Sequence, residues 1–181
     1  MMSCPKWIET FLKRAFSQKY LIVTNTVSCS SLLGAGDFLQ QKIGWSTKSG
    51  TEGYDWKRTA RVAALGLVLG PMNHHWYRLL DGRIRGRTGK DIATKVAADF
   101  AVSPIFACTF ITGVAVLEGK GPSTALMEYR NKFFKILTLD VCVWPPTQVF
   151  NFWLVPPQGR VIYISTVQLL YNVFMSYIKH T

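Results

Sequence analysis

The residues able to perform chemistry are few, and their spacing does not match a catalytic site. His74 and His75 are adjacent and are followed by Asp81. Adjacent side chains on a helix point about 100° apart, so this pair lacks the spacing of metal ligands. No nucleophile elbow, phosphate-binding loop or dinucleotide fingerprint occurs. The sequence predicts a protein that is not an enzyme, with no catalytic residues, no cofactor and no metal; an acid–base pair of Asp99 with a distant histidine is the enzymatic alternative.

The four cysteines are also poor candidates for a metal site or a disulfide framework. No C-x-x-C pair is present, and three of the four lie within uncharged stretches of the chain. Small apolar residues in such stretches are typical packing residues. We therefore expect packing roles for Cys4, Cys29, Cys108 and Cys142.

Long stretches without charge dominate the rest of the chain. No Asp, Glu, Lys or Arg occurs in the intervals 20–36, 62–77, 100–117, 141–159 and 161–178. A helix needs about 20 residues to cross a bilayer core, and a solvent-facing helix normally carries a charge every turn or two. The intervals predict an all-α, multi-span transmembrane helical bundle. A soluble all-helical bundle is the alternative, disfavoured because five bare intervals occur in one short chain.

The helices are predicted at 20–40, 61–80, 94–117, 136–155 and 160–178, separated by turns rich in Gly, Pro and Ser. The separators are 46–53, 82–89, 119–123 and 155–159. About four helices are expected to span, and the last is either a surface helix or a fifth span. Residues 20–181 then form a single domain, and residues 1–19 form a basic amphipathic segment that either lies on the membrane or acts as a targeting signal.

Polar residues recur inside the predicted spans at helical spacing. Polar groups in lipid need partners, so these side chains should point into the bundle. They either hydrogen-bond between tightly packed helices or line a hydrated path, and the sequence leaves both readings open. The residues predicted to form this lining or interhelical network are Asp37, His74, Asp99, Asp140, Gln148 and Asn151.

Prolines interrupt three predicted spans near their centres. A proline removes one backbone hydrogen bond and clashes with the preceding turn, which kinks a helix. We therefore predict kinks at Pro71, Pro104 and Pro145. Asp99 precedes Pro104 by five residues, as Asp140 precedes Pro145, which suggests a duplicated helical hairpin.

The positive charge is concentrated in the connections between spans. The net charge is +11, and one short stretch holds Arg83, Arg85, Arg87 and Lys90. Basic segments beside spans attract anionic lipid headgroups, with about 1 kcal/mol for each cation. The same charges would bind RNA or another acidic partner by releasing counterions. This stretch is the candidate basic docking loop.

The order of spans and motifs resembles the Mpv-type peroxisomal and mitochondrial membrane proteins. Residues 70–81 read GPMNHHWYRLLD, and residues 144–163 read WPPTQVFNFWLVPPQGRVIY, which is similar to the long signature of that family. Shorter matches are Gly36-Asp37 with Gln40-Gln41, and Leu117-Glu118-Gly119. Three positions depart from the family pattern: Lys19 stands for Pro, Phe100 for Gln and Tyr171 for Trp.

The resemblance implies an integral membrane protein of the mitochondrial inner membrane, or alternatively of the peroxisomal membrane, usually with four spans. VTNT at 23–26, CVWP at 142–145 and VPPQ at 155–158 are most similar to the mitochondrial branch called Mpv-like protein two. That branch implies support of mitochondrial ribosome assembly and translation, with the ribosome contacted through basic loops. Other members imply a weakly selective channel. The expected partners are thus the lipid bilayer, the mitochondrial ribosome and further copies of this chain.

Overall fold

The computed structural model describes residues 6–47 and 53–180, and the all-helical prediction is confirmed over these ranges. The chain forms six α-helices and one short 3-10 turn, at Pro157–Gly159, in the described part. The α-helices are α1 (Lys6–Ala15), α2 (Leu21–Thr47), α3 (Trp56–Arg83), α4 (Gly89–Leu117), α5 (Pro122–Leu154) and α6 (Arg160–His180).

Each predicted long helix is present and extends beyond its predicted bounds at one end or at both. The largest difference is α5, which begins at Pro122 and not at residue 136. Its first three turns contain Arg130 and other charged residues. A prediction based on intervals without charge therefore did not include these turns. Pro122 occupies the first turn, where its missing N–H costs nothing. The predicted separator at 46–53 overlaps the end of α2, and its residues 48–52 lie outside the described residues.

Local signals position the ends of α3 and α4. The Asp55 side chain accepts a hydrogen bond from the Arg58 N–H and caps α3. Thr88 and Asp91 form a reciprocal capping box at the start of α4. After α4 the chain turns at Gly119, whose φ of 84° is a left-handed conformation that glycine adopts without strain. These caps make the connections short and defined.

Small residues let α2 and α3 approach backbone to backbone. A Cβ atom added at Gly70 would lie 2.6 Å from the Cα of Thr26, and one added at Gly66 would collide with the backbone of Ser30. The Ser30 hydroxyl donates a hydrogen bond to the Ala63 carbonyl at 2.8 Å. A Gly-x-x-x-Gly spacing of this kind is typical of closely packed helices in membranes.

Three helix pairings organise the bundle. Helix α2 packs along both α3 and α6, α4 packs on α5, and α3 also contacts α4. One apolar cluster surrounds Leu33, Leu65 and Leu69 between α2 and α3, and a second surrounds Phe152 and Val161 where α5 and α6 meet α3. The five long helices therefore enclose a common interior.

The surface is rich in large apolar side chains, and the interior holds polar and charged side chains beside its apolar clusters. Every long helix exposes large apolar side chains, for example Val23, Leu67, Ile105, Phe150 and Leu170, each 50% exposed or more. The buried residues, at most 8% exposed, include Asn25, Asp37, His74, Lys95, Gln148, Asn151 and Arg160. Apolar side chains outside and paired polar groups inside are what a lipid environment favours.

Hydropathy alone identifies fewer spans than the bare intervals predict. Among the described residues one helix, α4, is long and apolar enough to cross a membrane by length and composition. The polar side chains inside the other helices lower their average hydropathy. The count of about four spans therefore stays a prediction.

The N-terminal segment is helical over Lys6–Ala15. Trp7 and Phe11 are exposed on α1, and Lys13 pairs with Glu9 at 2.6 Å in solvent. The Thr24 hydroxyl donates to the Ala15 carbonyl at 2.6 Å and ties the end of α1 to α2. The first five residues of the predicted 1–19 segment lie outside the described residues.

Candidate functional site

A cavity of about 320 Å³ lies inside the bundle, and each of the five long helices contributes to its wall. Its wall is mainly apolar, with Leu33, Leu69, Phe106 and Phe110 among the lining side chains. Polar groups enter it from α3, α4, α5 and α6. The polar residues of the lining, apart from the tyrosines, are Asn73, Asp99, Ser103, Asp140, Gln148, Ser165, Gln168 and Asn172.

Asp99 is held by a network that joins α3, α4 and α5. The indole Nε1 of Trp76 donates to Asp99 Oδ1 at 2.8 Å, and Gln148 Nε2 donates to Asp99 Oδ2 at 2.7 Å. Gln148 Nε2 also donates to the Tyr77 hydroxyl at 2.8 Å, and Asn151 Nδ2 donates to Gln148 Oε1 at 2.8 Å. Asp99, Gln148 and Asn151, which are among the polar residues predicted from the sequence, thus belong to one hydrogen-bonded unit.

Asp140 faces the same cavity from α5. Its Oδ1 accepts a hydrogen bond from the indole Nε1 of Trp144 at 2.9 Å. Its Oδ2 has no hydrogen-bond partner among the residues that the structure describes. Asp99 and Asp140 therefore each accept a hydrogen bond from an indole N–H beside the same cavity. This contact adds to the likeness between α4 and α5, in each of which the Asp precedes a Pro by five residues.

His74 and Asp37 lie outside the cavity wall, in two further polar groups. His74 Nδ1 lies 3.0 Å from the amide Nδ2 of the buried Asn25, between α3 and α2. Asp37 forms an ion pair with Arg58 Nε at 2.9 Å and accepts a hydrogen bond from the Thr59 hydroxyl at 2.6 Å. The six predicted polar residues thus do not form a single network.

One buried ionic cluster was missed by sequence reasoning. Asp81 Oδ1 accepts from Lys95 Nζ at 2.9 Å and also from Arg160 Nη1. The side chains of Lys95 and Arg160 are 4% and 2% exposed, and both cations lie over the Phe152 ring, at 5.7 and 5.0 Å. Asp81 and Arg160 each lie in a motif that resembles the family, and this could have indicated the cluster. The positive charge, however, is predicted to lie in the connections between spans.

The four residues of the candidate basic docking loop are all exposed, on the connection between α3 and α4. Arg83 ends α3, Lys90 is in the first turn of α4, and Arg85 and Arg87 lie between them. The Thr88–Asp91 capping box holds the far end of this loop. The loop therefore presents its cations from a defined backbone.

Pro71, Pro104 and Pro145 lie inside α3, α4 and α5, which continue on both sides of them. Pro104 leaves the Phe100 carbonyl without its usual helical donor, and the Ser103 hydroxyl donates to that carbonyl at 2.9 Å. The lost backbone bond is thereby replaced locally. The kinks stay a prediction.

Comparison with known proteins agrees with the motifs. The model of the Mpv17 / PMP22 family matches residues 115–176. The chain is 32% identical over 162 residues to "PXMP2/4 family protein 2" of Dictyostelium discoideum, covering 87% of this chain and 84% of that protein. It is 29% identical over 161 residues to "Protein SYM1" of Saccharomyces cerevisiae (85% and 81%), and 28% over 162 residues to "Mitochondrial inner membrane protein Mpv17" of Caenorhabditis briggsae (88% and 87%). No solved structure matches the chain.

The residues that carry the resemblance are those that connect the helices. Trp76 and Asp81 of the first motif contact Asp99 and Arg160, and Gln148 of the second motif contacts Tyr77. The motif residues thus make contacts between helices, and the similarity to known proteins extends over almost the whole chain. The chain belongs to the Mpv17 / PMP22 family.

Proposed function

We propose that the chain is a non-enzymatic, multi-span integral protein of the mitochondrial inner membrane. The observation that supports membrane insertion is that every long helix exposes large apolar side chains while charged groups are buried in the interior. The name of the Caenorhabditis briggsae relative, a mitochondrial inner membrane protein, supports the location. The peroxisomal membrane is the alternative location.

Within that membrane, the proposed role is support of mitochondrial ribosome assembly and translation through the basic docking loop. The structure divides the cations into two classes. Lys95 and Arg160 are buried on Asp81, whereas Arg83, Arg85 and the rest of the loop remain exposed. Exposed cations on a defined backbone suit the phosphates of ribosomal RNA.

Neutralising the loop tests this role. Changing Arg83, Arg85, Arg87 and Lys90 to glutamine should release the protein from mitochondrial ribosomal fractions. The dependence of log affinity on log salt should also become shallower by about 3, since up to four phosphate contacts are lost. Sedimentation of mitochondrial lysates at several salt concentrations measures both effects.

The matched control neutralises four exposed cations elsewhere, by changing Lys42, Lys57, Arg78 and Arg130 to glutamine. This control removes the same charge outside the loop and outside the N-terminal segment, and it should leave sedimentation unchanged. Equal co-sedimentation of wild type and loop variant would rule out docking by this loop.

The cavity favours a second candidate function, a weakly selective channel. Polar residues from four helices converge on it, and Asp140 and Gln148 line it as a solute path requires. Asn151 supports Gln148 from behind, and does not line the wall. Pro145, one turn from Asp140, is the predicted bend of that path.

Conductance tests the channel. Purified protein in planar bilayers should conduct, and Asp140→Asn should lower the preference for cations over anions, because it removes a negative charge from the wall. Glu118→Gln, which removes a charge at the end of α4 outside the cavity, should not change the reversal potential. The absence of current at every voltage and redox condition tested would contradict this function.

Purification from mitochondria in mild detergent, followed by mass spectrometry, separates the two candidates. Ribosomal proteins in the eluate would favour docking. A homo-oligomer without other proteins would favour the channel.

A further inference from the structure

The cavity contains negative charge without a matching cation. Asp99 and Asp140 line it, and its described lining includes no Lys, Arg or His. The buried cations Lys95 and Arg160 are held on Asp81 and do not line it. A carboxylate inside a bundle is costly unless a positive charge or water accompanies it. The cavity therefore favours a cationic occupant over a neutral or anionic one.

The two carboxylates are not equally available. Both oxygens of Asp99 already accept a hydrogen bond, from Trp76 and from Gln148. Asp140 uses only Oδ1, so of the two carboxylates it is the one with an oxygen, Oδ2, that accepts from no described residue. A donor group of a ligand would thus be directed to Asp140.

The remaining wall is suited to an apolar body with a positive end. Tyr77, Phe106, Phe110, Trp144 and Tyr171 present aromatic rings to the cavity. Aromatic faces attract cations and also provide apolar contact area. Hard metal ions prefer six or more oxygen ligands, which this mainly apolar wall does not offer.

We infer that the cavity binds a small organic cation, a protonated amine carried on an apolar or aromatic body. The ammonium group donates to Asp140 Oδ2, and the body lies against Phe106 and Phe110. The volume of about 320 Å³ falls within the range of small-molecule pockets, roughly 300–1,000 Å³. The inference requires only the cavity, and neither ribosome docking nor conduction.

A charged probe and its neutral isostere test the inference. Isothermal titration of the full-length protein in detergent micelles compares naphthylmethylamine with naphthylmethanol, with heats from protein-free micelles subtracted. The amine should bind about tenfold more tightly or better, because it alone carries the charge. Equal affinity for the two probes, or no binding of the amine, would overturn the inference.

Substitutions inside and outside the cavity wall test where the amine binds. Asp140→Asn preserves the acceptor for Trp144 and should reduce amine affinity about tenfold, to the level of the alcohol. Glu118→Gln should leave amine affinity unchanged, since Glu118 does not line the cavity. Ala107→Phe places a ring in the cavity and should abolish binding, and it also serves if Asp140→Asn does not fold. Unchanged amine affinity in either cavity variant would place the site elsewhere and overturn the inference.

Discussion

Replacing Gly66 by alanine is expected to lower the free energy of unfolding by about 2–3 kcal/mol, which is typical of forced overpacking. The added Cβ would collide with the backbone of Ser30, which cannot rotate away as a side chain can. Helix α2 must therefore move from α3, weakening the Ser30–Ala63 hydrogen bond and the apolar cluster beside it. Denaturation of the purified protein in mixed detergent micelles measures the change.

Gly82→Ala is the matched control for this prediction. Gly82 lies on the same helix, and nothing is within 4 Å of a Cβ added there. Alanine is the better helix former, so this variant should gain up to about 1 kcal/mol. An equal loss in the two variants would show that the close approach of α2 is not the cause of the loss at Gly66.

Asp81→Asn is expected to lower the free energy of unfolding by about 3–5 kcal/mol, the usual cost of breaking a buried ion pair from one side. The change preserves the shape of the side chain but leaves Lys95 and Arg160 buried without their shared anion. Desolvated cations without a counter-charge oppose folding more than the lost attraction itself does. The same micellar denaturation measures this effect.

Two control variants test whether the loss of stability arises because the charges are buried or only because one charge is removed. Glu9→Gln breaks the solvent-exposed pair with Lys13 and should have no measurable effect. The triple change of Asp81 to Leu with Lys95 and Arg160 to Met should recover much of the loss, because no uncompensated charge remains. A single Asp81→Asn variant as stable as wild type would contradict a structural role for the cluster.

The helical architecture follows from local composition. Long uncharged intervals can form only a few structures in lipid, and helices satisfy their own backbone hydrogen bonds. The five long helices can therefore be predicted from the sequence, whereas the residues at which they begin and end cannot. Helix α5 extends to Pro122 through charged residues because a helix continues until a cap ends it, and not until its charge changes.

The polar residues inside the helices were also identifiable from the sequence. Asp99, Gln148 and Asn151 are predicted inside the bundle because each is a polar residue in or beside a long uncharged interval. The partners were not identifiable. Tyr77 and Gln148 are 71 residues apart, and Asp81 and Arg160 are 79 apart, so no local spacing relates them.

Helical period and composition alone thus determined that this protein is a bundle of long helices, and predicted polar residues directed into it. Only the tertiary structure decided that these residues divide into separate groups, that Asp81 is the shared anion of two buried cations, and that Asp99 and Asp140 line one cavity. The physical reason is that such contacts depend on how each helix is rotated and which helix lies beside it. The Gly66–Ser30 approach and the other interhelical contacts set that arrangement, and they join residues far apart in the chain.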